Sequence, residues 1–479
     1  MDRDLASIQE ARDLIKKALI AQKIYNELDQ TKIDETVKYI AEKIYENAEE
    51  LANMAVDETR FGNVADKIFK NQFASKTVYD YIKDMKTHGI INIDEEKKVW
   101  EIGVAVGVIV GLIPSTNPTS TVIYKALISL KSGNAIVFSP HPSALLCITK
   151  TLELIREYLK DLSLPVDLVS VLSMPTIEAT NELMKSKDIA LILATGGKAM
   201  VKAAYSSGNP ALGVGPGDVP AFIERSANIE QAVSMIIASK TFDNGVICAS
   251  EQAVIVEEVI SDKVIEEFKK QKCYFLGENE KKLLEKIMVN ANGFLNSKIV
   301  GKSAETLGIM AGISVPKGTK VLIGFETNVG KGYPFSMEKL SPILGFYTEE
   351  NWIKACERCI EILEYGGIGH SLSIHSENMD VIREFALKKP VFRILVNTPS
   401  THGGIGATTG IAPSLTLGSG AVGGSSTSDN VTPLHLINIR RVAFGLNPWK
   451  VEKEAEDVDI ESLKVLIKKV IADSFGPLK

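Results

Sequence analysis

Short apolar runs rich in β-branched residues alternate with helical stretches from residue 99 onward, and this alternation restricts the fold more than any other feature. Parallel strands that are buried on both faces have such sequences, and crossover helices join them. The pattern therefore predicts a doubly wound α/β fold, in which ligands bind beyond the carboxyl ends of the strands. In the first half of the chain, the predicted strands are 104–113, 135–138, 168–172 and 189–193. A second α/β pattern runs from about 219 to 429, with predicted strands at 253–256, 320–323 and 394–396.

The two ends of the chain differ from this pattern. Residues 1 to about 85 predict helices, and Thr31 with Asp34 predicts a capping box at the start of the second helix. The longest apolar run, 102–113, is shorter than the roughly 18 residues of a membrane span, so it predicts a buried strand. At the other end, a charged linker at 450–459 precedes an amphipathic helix at about 460–471.

Charge and composition exclude several classes of partner. The chain has 54 Lys and Arg against 60 Asp and Glu, and no basic block is interleaved with aromatic residues, so neither nucleic-acid nor membrane binding is predicted. The charged N-terminus is unlike a secretory leader, which predicts a cytoplasmic protein whose five cysteines are reduced thiols. The six histidines lack a metal-binding spacing, and no metal site is predicted.

Two motifs do not fit the function that they first suggest. Residues 418–423 match a G-x-G-x-x-G pattern, but serines and Pro433 follow where a phosphate-binding helix should begin. Glycines that permit tight turns or close backbone approach are the better interpretation. Cys356 and Cys359 form a C-x-x-C within a predicted helix, without a second pair for zinc, so both are predicted to be buried structural residues.

Cys248 is the candidate nucleophile. It lies in a turn-prone stretch, 242–251, between a predicted helix and the predicted strand at 253–256. At such an edge, free backbone N–H groups can stabilise negative charge beside the thiol. From spacing alone, an inert buried cysteine is an equal alternative.

Stretches spread over residues 5 to about 445 resemble the aldehyde dehydrogenase superfamily, and specifically its coenzyme A-acylating branch. The stretch around Cys248 reads Lys-Thr-Phe-Asp-Asn-Gly-Val-Ile-Cys-Ala-Ser-Glu-Gln and occupies 240–252. The other matching stretches follow in the order expected for the family. They are 113–120, 138–142, 194–197, 213–217, 338–342, 368–370, 403–406 and 412–430.

The resemblance implies an aldehyde dehydrogenase-like α/β fold with three parts. A Rossmann-type nucleotide-binding domain would comprise 1–87 and 104–215, and an α/β catalytic domain would comprise 216–428. A small bridging or oligomerisation sheet would use 88–103 and 429–446, which leaves 447–479 as linker and C-terminal helix. Because bridging strands of this kind are exchanged between subunits, a homodimer or homotetramer is expected.

The resemblance also implies the chemistry. Cys248 would attack an aldehyde carbonyl, and the Asn117 amide with the Cys248 backbone N–H would stabilise the oxyanion, although the residues alone allow Asn117 to be a turn residue. Hydride transfer to a nicotinamide would leave a thioester on Cys248. Hydrolytic members carry a glutamate about 34 residues before the cysteine to activate water, whereas that position here holds Val214. The acyl group should therefore pass to coenzyme A. His370 would assist thiol deprotonation, or would be a hydrogen-bonded structural histidine.

The cofactor-binding residues are implied by the same resemblance. Glu338 matches a carboxylate on the nicotinamide ribose, and a solvated surface glutamate is the alternative. Many hydrolytic members use a Lys and a Glu on the adenine ribose, and Ser139 and Pro142 stand in those places here. NAD is favoured by family habit, whereas the missing acid, which would repel a 2′-phosphate, leaves use of NADP open. The full set is Ile113, Pro114, Ser115, Ser139, His141, Thr195, Gly196, Gly197, Gly215 and Glu338.

The predicted function is the reversible, NAD-dependent conversion of a short aliphatic aldehyde, acetaldehyde or propanal, and CoA into acyl-CoA. A hydrolytic aldehyde dehydrogenase is one alternative, and a non-catalytic scaffold or cargo protein of a bacterial microcompartment is the other. The C-terminal helix resembles peptides that tether enzymes to a microcompartment shell, a helix-in-groove interaction. Packing of this helix against the enzyme's own subunits is the alternative.

Overall fold

An N-terminal layer of helices precedes three β-sheets in the computed structural model, which describes residues 2–447, 449 and 459–476. The predicted capping box is wrong, because the second helix begins before Thr31 and the carboxylate of Asp29 caps it, accepting the Lys32 backbone N–H at 2.8 Å. The layer consists of α1 (Arg3–Tyr25), α2 (Gln30–Glu46), α3 (Ala48–Thr59), α4 (Val64–Gln72), a π-helical turn (Phe73–Thr77) and α5 (Val78–Ile82).

The predicted strand at 104–113 is also wrong as a single element. Strand β2 (Val99–Ala105), which pairs with β1 (Gly89–Asp94), ends two residues before β3 (Val108–Ile113) begins. Between them Gly107 has a φ of 128°, a backbone conformation that favours glycine. One apolar run thus supplies strands to two different sheets, which hydrophobicity alone cannot reveal.

The first parallel sheet has the strand order β5-β4-β3-β6-β7. All residues of β3 and β4 are buried, as expected when helices cover both faces of a parallel sheet. Its elements after β3 are α6 (Pro118–Lys131), β4 (Ala135–Pro140), α7 (Leu145–Asp161), β5 (Val169–Val171), α8 (Ile177–Lys185), β6 (Leu191–Thr195), α9 (Lys198–Tyr205) and β7 (Ala211–Val214).

The second parallel sheet has the order β10-β11-β12-β9-β8-β13-β14. Its first elements are β8 (Val219–Ile223), α10 (Ile229–Thr241), β9 (Glu251–Glu257), α11 (Glu258–Lys270), β10 (Cys273–Phe275), α12 (Glu278–Met288), α13 (Ala304–Ala311), β11 (Val321–Phe325) and β12 (Ile343–Glu349). The remaining ones are α14 (Trp352–Ile362), a π-helical turn (Leu363–Gly367), β13 (Leu372–His375), α15 (Met379–Lys388), β14 (Ile394–Val396) and α16 (Ser400–Gly404).

A small antiparallel sheet is formed when β15 (Ile437–Ala443) pairs with β2, in the order β1-β2-β15. The predicted C-terminal helix is present as α17 (Ile460–Phe475) and is longer than expected. The predicted linker at 450–459 lies outside the described residues except for Asp459. In the ranges that the structure describes, no helix is both long enough and apolar enough to cross a bilayer.

Candidate active site

Four neighbouring strands of the second sheet bring the candidate site together at their amino ends. Cys248 lies just before β9, Gly217 before β8, His370 before β13 and Glu338 before β12. These strands are adjacent in the order β12-β9-β8-β13, so residues far apart in sequence meet at one sheet edge. The cofactor residues predicted at 113–115 and 195–197 lie at the carboxyl ends of strands in the first sheet, whereas Cys248 and His370 precede strands of the second sheet.

A tight loop carries Cys248 from α10 to β9. Its backbone is left-handed at Asp243 and Asn244, with φ of 48° and 53°, and again at Gly245. Asp and Asn tolerate this region better than other residues with a Cβ, so the Asp-Asn-Gly sequence suits the loop. The Cys248 side chain is only partly exposed and packs against the large apolar core.

The imidazole of His370 faces the thiol directly. Its Nε2 lies 3.2 Å from the Sγ of Cys248, and the histidine is 1% exposed. Gly217 makes this close packing possible, since a Cβ there would lie 2.0 Å from the Cys248 carbonyl oxygen and 3.1 Å from Nδ1 of His370. The family-derived candidates Cys248 and His370 are therefore in contact.

A second pair of residues supports the His370 ring on its other side. The Arg393 Nε donates to Ser371 Oγ at 3.3 Å, and Ser371 Oγ lies 3.0 Å from Nδ1 of His370. A serine hydroxyl has one hydrogen and two acceptor lone pairs, so Ser371 can accept from Arg393 and either donate to Nδ1 or accept from it. Burial and the charge of Arg393 lower the pKa of His370 to about 3, so the ring is neutral, and its tautomer decides whether Nε2 donates to the sulfur or accepts from it.

Burial also governs the thiol. Desolvation, with a smaller effect from the carboxylate of Glu338, raises the pKa of Cys248 to about 12, and the charge of Arg393 opposes this rise. Glu338 is only partly exposed; its Oε1 accepts the Gly217 backbone N–H at 2.9 Å, and desolvation raises its pKa to about 7. A solvated surface carboxylate, the alternative considered for Glu338, is therefore excluded.

Asn117 precedes α6 and is held by charged neighbours. Its Oδ1 accepts a 2.6 Å hydrogen bond from the Nζ of Lys70, and its Nδ2 donates to Thr116 Oγ1 at 3.2 Å. Lys70 and Lys67, both on α4, also contact the buried carboxylate of Asp243 in the Cys248 loop. A chain of contacts thus connects Asn117 to the loop that carries the thiol.

The turns after β3 and β6 are adjacent, because these two strands pair in the first sheet. Ile113 is buried, whereas Pro114 and Ser115 are partly exposed. Within the described residues, the buried hydroxyl of Thr195 has no hydrogen-bond partner, and Gly197, the N-cap residue of α9, provides no side-chain cap. The backbone N–H groups at the start of α9 lie beside the Thr195 hydroxyl and Gly196. A Cβ at Gly196 would meet only the Met200 side chain, at 3.6 Å or more, so a ligand can approach the backbone there. This arrangement fits a phosphate-containing dinucleotide.

The remaining predicted cofactor residues are more scattered. The Ser139 hydroxyl is buried and bonds Thr180 Oγ1 on α8 at 2.8 Å, so a partner already occupies it. His141 is exposed at the end of β4, and its Nδ1 bonds Ser143. A Cβ at Gly215, after β7, would meet no atom within 4 Å. His141 is thus exposed and Gly215 has space for a contact, whereas the Ser139 hydroxyl is buried and keeps hydrogen-bonding capacity beyond its bond to Thr180.

Val214 is buried at the end of β7, and no ionisable side chain occupies that position. Within the described part of the chain, His370 is the side chain that lies within hydrogen-bonding distance of the thiol. Cys356 and Cys359 are buried in α14, as predicted.

Sequence reasoning missed the residues that support this site. Ser371 and Arg393 carry no motif, although an arginine directly before an apolar run was a usable signal of a buried role. Lys67 and Lys70 stand three residues apart on one helix face, which usually indicates a solvated surface. Both lysines are buried against the carboxylate of Asp243, which is more than 170 residues away along the chain.

Comparisons with known proteins identify the family and the fold. Residues 3–277 match the aldehyde dehydrogenase family. The chain is 43% identical over 444 residues to the bifunctional aldehyde-alcohol dehydrogenase AdhE of Escherichia coli, covering 92% of this chain and 50% of the relative. The chain thus spans about half the length of the first curated relatives that it matches.

Two solved structures match nearly the whole chain. An acetylating aldehyde dehydrogenase from Geobacillus thermoglucosidasius is 54% identical with a TM-score of 0.93, and the match covers 94% of this chain and 100% of that one. A propionaldehyde dehydrogenase from a fucose utilisation microcompartment of Clostridium phytofermentans is 30% identical with a TM-score of 0.82, covering 91% and 97%. Both support the predicted α/β architecture.

Proposed function

Because the chain belongs to the aldehyde dehydrogenase family, we propose that it is a CoA-acylating enzyme that reversibly converts a short aliphatic aldehyde and CoA into acyl-CoA. The observation that carries the proposal is the 3.2 Å contact between Cys248 Sγ and a neutral His370, at a site where Val214 replaces a general base for water. The names of the acetylating and propionaldehyde-specific relatives support the same branch.

The first step is addition of the thiol to the aldehyde. A bond forms between Sγ of Cys248 and the carbonyl carbon, the carbonyl π bond breaks, and the thiol proton ends on the new hydroxyl. We propose the tautomer in which His370 carries its hydrogen on Nε2, donates to sulfur and favours its thiolate character. Asn117 Nδ2–H and the Cys248 backbone N–H are the proposed donors to the carbonyl oxygen, a role in which one donor contributes about 2.7–4 kcal/mol in other enzymes.

Oxidation requires a nicotinamide dinucleotide, which when bound accepts the hydride from the aldehyde carbon. Thr195, the amides at the start of α9 and the Glu338 carboxylate are the residues that would hold it. We propose NAD as the cofactor. Faster reduction of NADP than of NAD in the assay below would revise this choice. The hydroxyl proton of the thiohemiacetal is released to solvent as the hydride leaves, and Cys248 is left carrying a thioester.

The acyl group then leaves for CoA. The CoA sulfur bonds the acyl carbon while the Cys248–acyl bond breaks, and the CoA thiol proton is released in exchange. Sγ departs as a thiolate, which the Nε2–H of His370 stabilises by hydrogen bonding. Water competes poorly because Val214 cannot accept its proton, and a positioned base is worth about 10²–10⁴-fold.

Absorbance of the reduced nicotinamide tests the proposal. Two- to five-carbon aldehydes are assayed with and without CoA, and with NAD or NADP. We expect the signal to require CoA and to vanish in Cys248→Ala. Formation of carboxylic acid without CoA would indicate the hydrolytic alternative, and the absence of any signal from the intact protein would indicate a non-catalytic scaffold or cargo protein.

The three-stranded sheet supports an extension of this proposal to a homo-oligomer. It exposes apolar side chains on a small sheet with two free edge strands, and such patches mark interaction sites. The exposed residues are Ile90, Ile93, Trp100, Ile439 and Phe444. A dimer or tetramer formed through this sheet would cover them.

The C-terminal helix supports a further extension, to encapsulation. Ile460, Leu463, Ile467 and Val470 are all at least 46% exposed on α17. A relative of known structure comes from a microcompartment, and we propose that α17 attaches this protein to such a shell. The competing possibility is that α17 packs against another subunit, and the deletion of residues 450–479 described below distinguishes the two.

A further inference from the structure

Three charged side chains are buried together between α4 and the Cys248 loop. Lys67, Lys70 and Asp243 are each at most 2% exposed. The Nζ of Lys67 lies 2.9 Å from Asp243 Oδ2, and Lys70 contacts the same oxygen. Burying charges is costly even when they are paired, so such a cluster is weak evidence for a contribution to stability alone.

Lys70 makes one contact that Lys67 does not. Its Nζ donates to Oδ1 of Asn117 at 2.6 Å, whereas Lys67 Nζ donates to the backbone carbonyl of Thr116 at 3.1 Å. An ammonium on the amide oxygen allows only one orientation of the amide, with Nδ2 on the opposite side. It also draws electron density toward that oxygen, which makes the N–H groups stronger donors.

Asp243 holds Lys70 in place from the loop that carries the nucleophile. Its Oδ1 accepts the Asn63 backbone N–H at 2.8 Å, and its own N–H donates to Asp66 Oδ2 at 2.6 Å. The chain leaves room for this carboxylate at Gly62, where a Cβ would lie 1.7 Å from Oδ1. One carboxylate thus ties the Asn117 side chain to the Cys248 loop, which supplies the other proposed oxyanion donor.

We propose that Lys70, anchored by Asp243, is a positioning residue that orients and polarises the Asn117 amide toward the substrate oxygen. This inference rests on the proposed function, because it concerns the same oxyanion. Desolvation lowers the pKa of Lys70 to about 8. A lysine with this pKa is still predominantly protonated at pH 7 and can act as the donor.

A double-mutant cycle tests whether Lys70 acts through Asn117. Lys70→Met, Asn117→Ala and the double variant are compared by the burst of nitrophenolate from p-nitrophenyl acetate, which acylates a thiol without nicotinamide or CoA. We expect about a 100-fold loss for each single variant and less than about a threefold further loss in the double variant. Lys70→Arg, which keeps the charge, should recover part of the rate. Multiplicative losses would overturn the inference.

Lys67→Met is the matched comparison, since Lys67 shares the burial and the Asp243 partner of Lys70 but does not bond the Asn117 side chain. The melting temperatures of the two variants should fall alike, while the acylation rate should fall far more for Lys70→Met. Equal losses of rate in Lys67→Met and Lys70→Met would show a structural role only. As a further control, Lys76→Met, at an exposed position of the same region, should match the wild type in rate.

The ester assay separates this inference from the proposed function. A wild-type burst with non-additive losses, but without CoA-dependent reduction of nicotinamide, would overturn the function and leave the positioning role standing. The reverse result, with normal dehydrogenase activity and multiplicative losses, would overturn the positioning role alone. A wild-type protein that releases no nitrophenolate would also overturn it, because an oriented donor beside the thiol should support acylation.

Discussion

The carboxylate of Glu338 accepts a 2.9 Å hydrogen bond from the backbone N–H of Gly217, the residue that packs against the carbonyl of Cys248. This contact holds a negative charge close enough to the nucleophile to raise the pKa of the thiol. A residue proposed to bind the cofactor thus also restrains the reactivity of Cys248 in the protein without bound ligands.

Glu338→Gln should make Cys248 more reactive toward iodoacetamide. The amide oxygen can still accept the Gly217 N–H, so the geometry is kept while the charge is lost. Because the pKa of Glu338 is about 7, the carboxylate is ionised mainly above that pH, where it suppresses the thiolate. We expect alkylation about three- to tenfold faster than in the wild type near pH 9, because loss of the charge lowers the pKa of the thiol.

The pH profile provides the control for this variant. At about pH 5.5 Glu338 is protonated in the wild type, so the two alkylation rates should converge there. In both proteins the rate should rise with pH, since the pKa of Cys248 lies near 12 and more thiolate forms as that value is approached. A slower rate in Glu338→Gln at high pH would contradict the assigned effect of the charge.

Ser371→Ala should release the tautomer of His370. Without the hydroxyl, Nδ1 loses its hydrogen-bond partner, and a neutral ring can carry its hydrogen on either nitrogen. In ¹⁵N-histidine spectra, we expect a protonated Nε2 in the wild type and a mixture in the variant, with the signals assigned by their loss in His370→Asn. CoA-dependent turnover should fall about tenfold and recover in Ser371→Thr. Protonation of Nδ1 in the wild type would refute the assignment.

Gly217→Ala should disrupt the site sterically. A Cβ there would lie 2.0 Å from the Cys248 carbonyl oxygen, so the nucleophile loop must move. We expect at least about a 100-fold loss of aldehyde oxidation, since small displacements of reacting groups are costly. Gly445→Ala is the matched control, because its Cβ would meet no atom within 4 Å. Near-normal activity of Gly217→Ala would mean that the loop adapts freely.

Deletion of residues 450–479 should leave catalysis intact. The side chains described for α17 are exposed, so their removal should change the melting temperature by no more than about 2 °C. Mass photometry and co-localisation with a shell then distinguish the two proposed roles. Loss of encapsulation with an unchanged oligomer would support attachment to a shell, and dissociation of the oligomer would show that α17 packs between subunits.

The sequence predicted the α/β architecture and several of its strands, because buried parallel strands leave a local record of apolar runs between helices. It did not predict β8, β12 and β13, three of the four strands that carry the site. It failed at 104–113, where one continuous run supplies β2 and β3 to different sheets. It also misplaced the start of α2, since Asp29 and Thr31 are both acceptable capping residues and the choice depends on packing.

For the site, the sequence by itself determined which chemical groups were available: the Cys248 thiol, the Asn117 amide, the His370 imidazole and the apolar Val214. Only the tertiary structure decided how they act. The amino ends of four adjacent strands set the contact between thiol and imidazole, and burial sets their pKa values. The support from Lys70 and Arg393 was equally invisible, because a charge distant in sequence affects a site only once folding has removed the water between them.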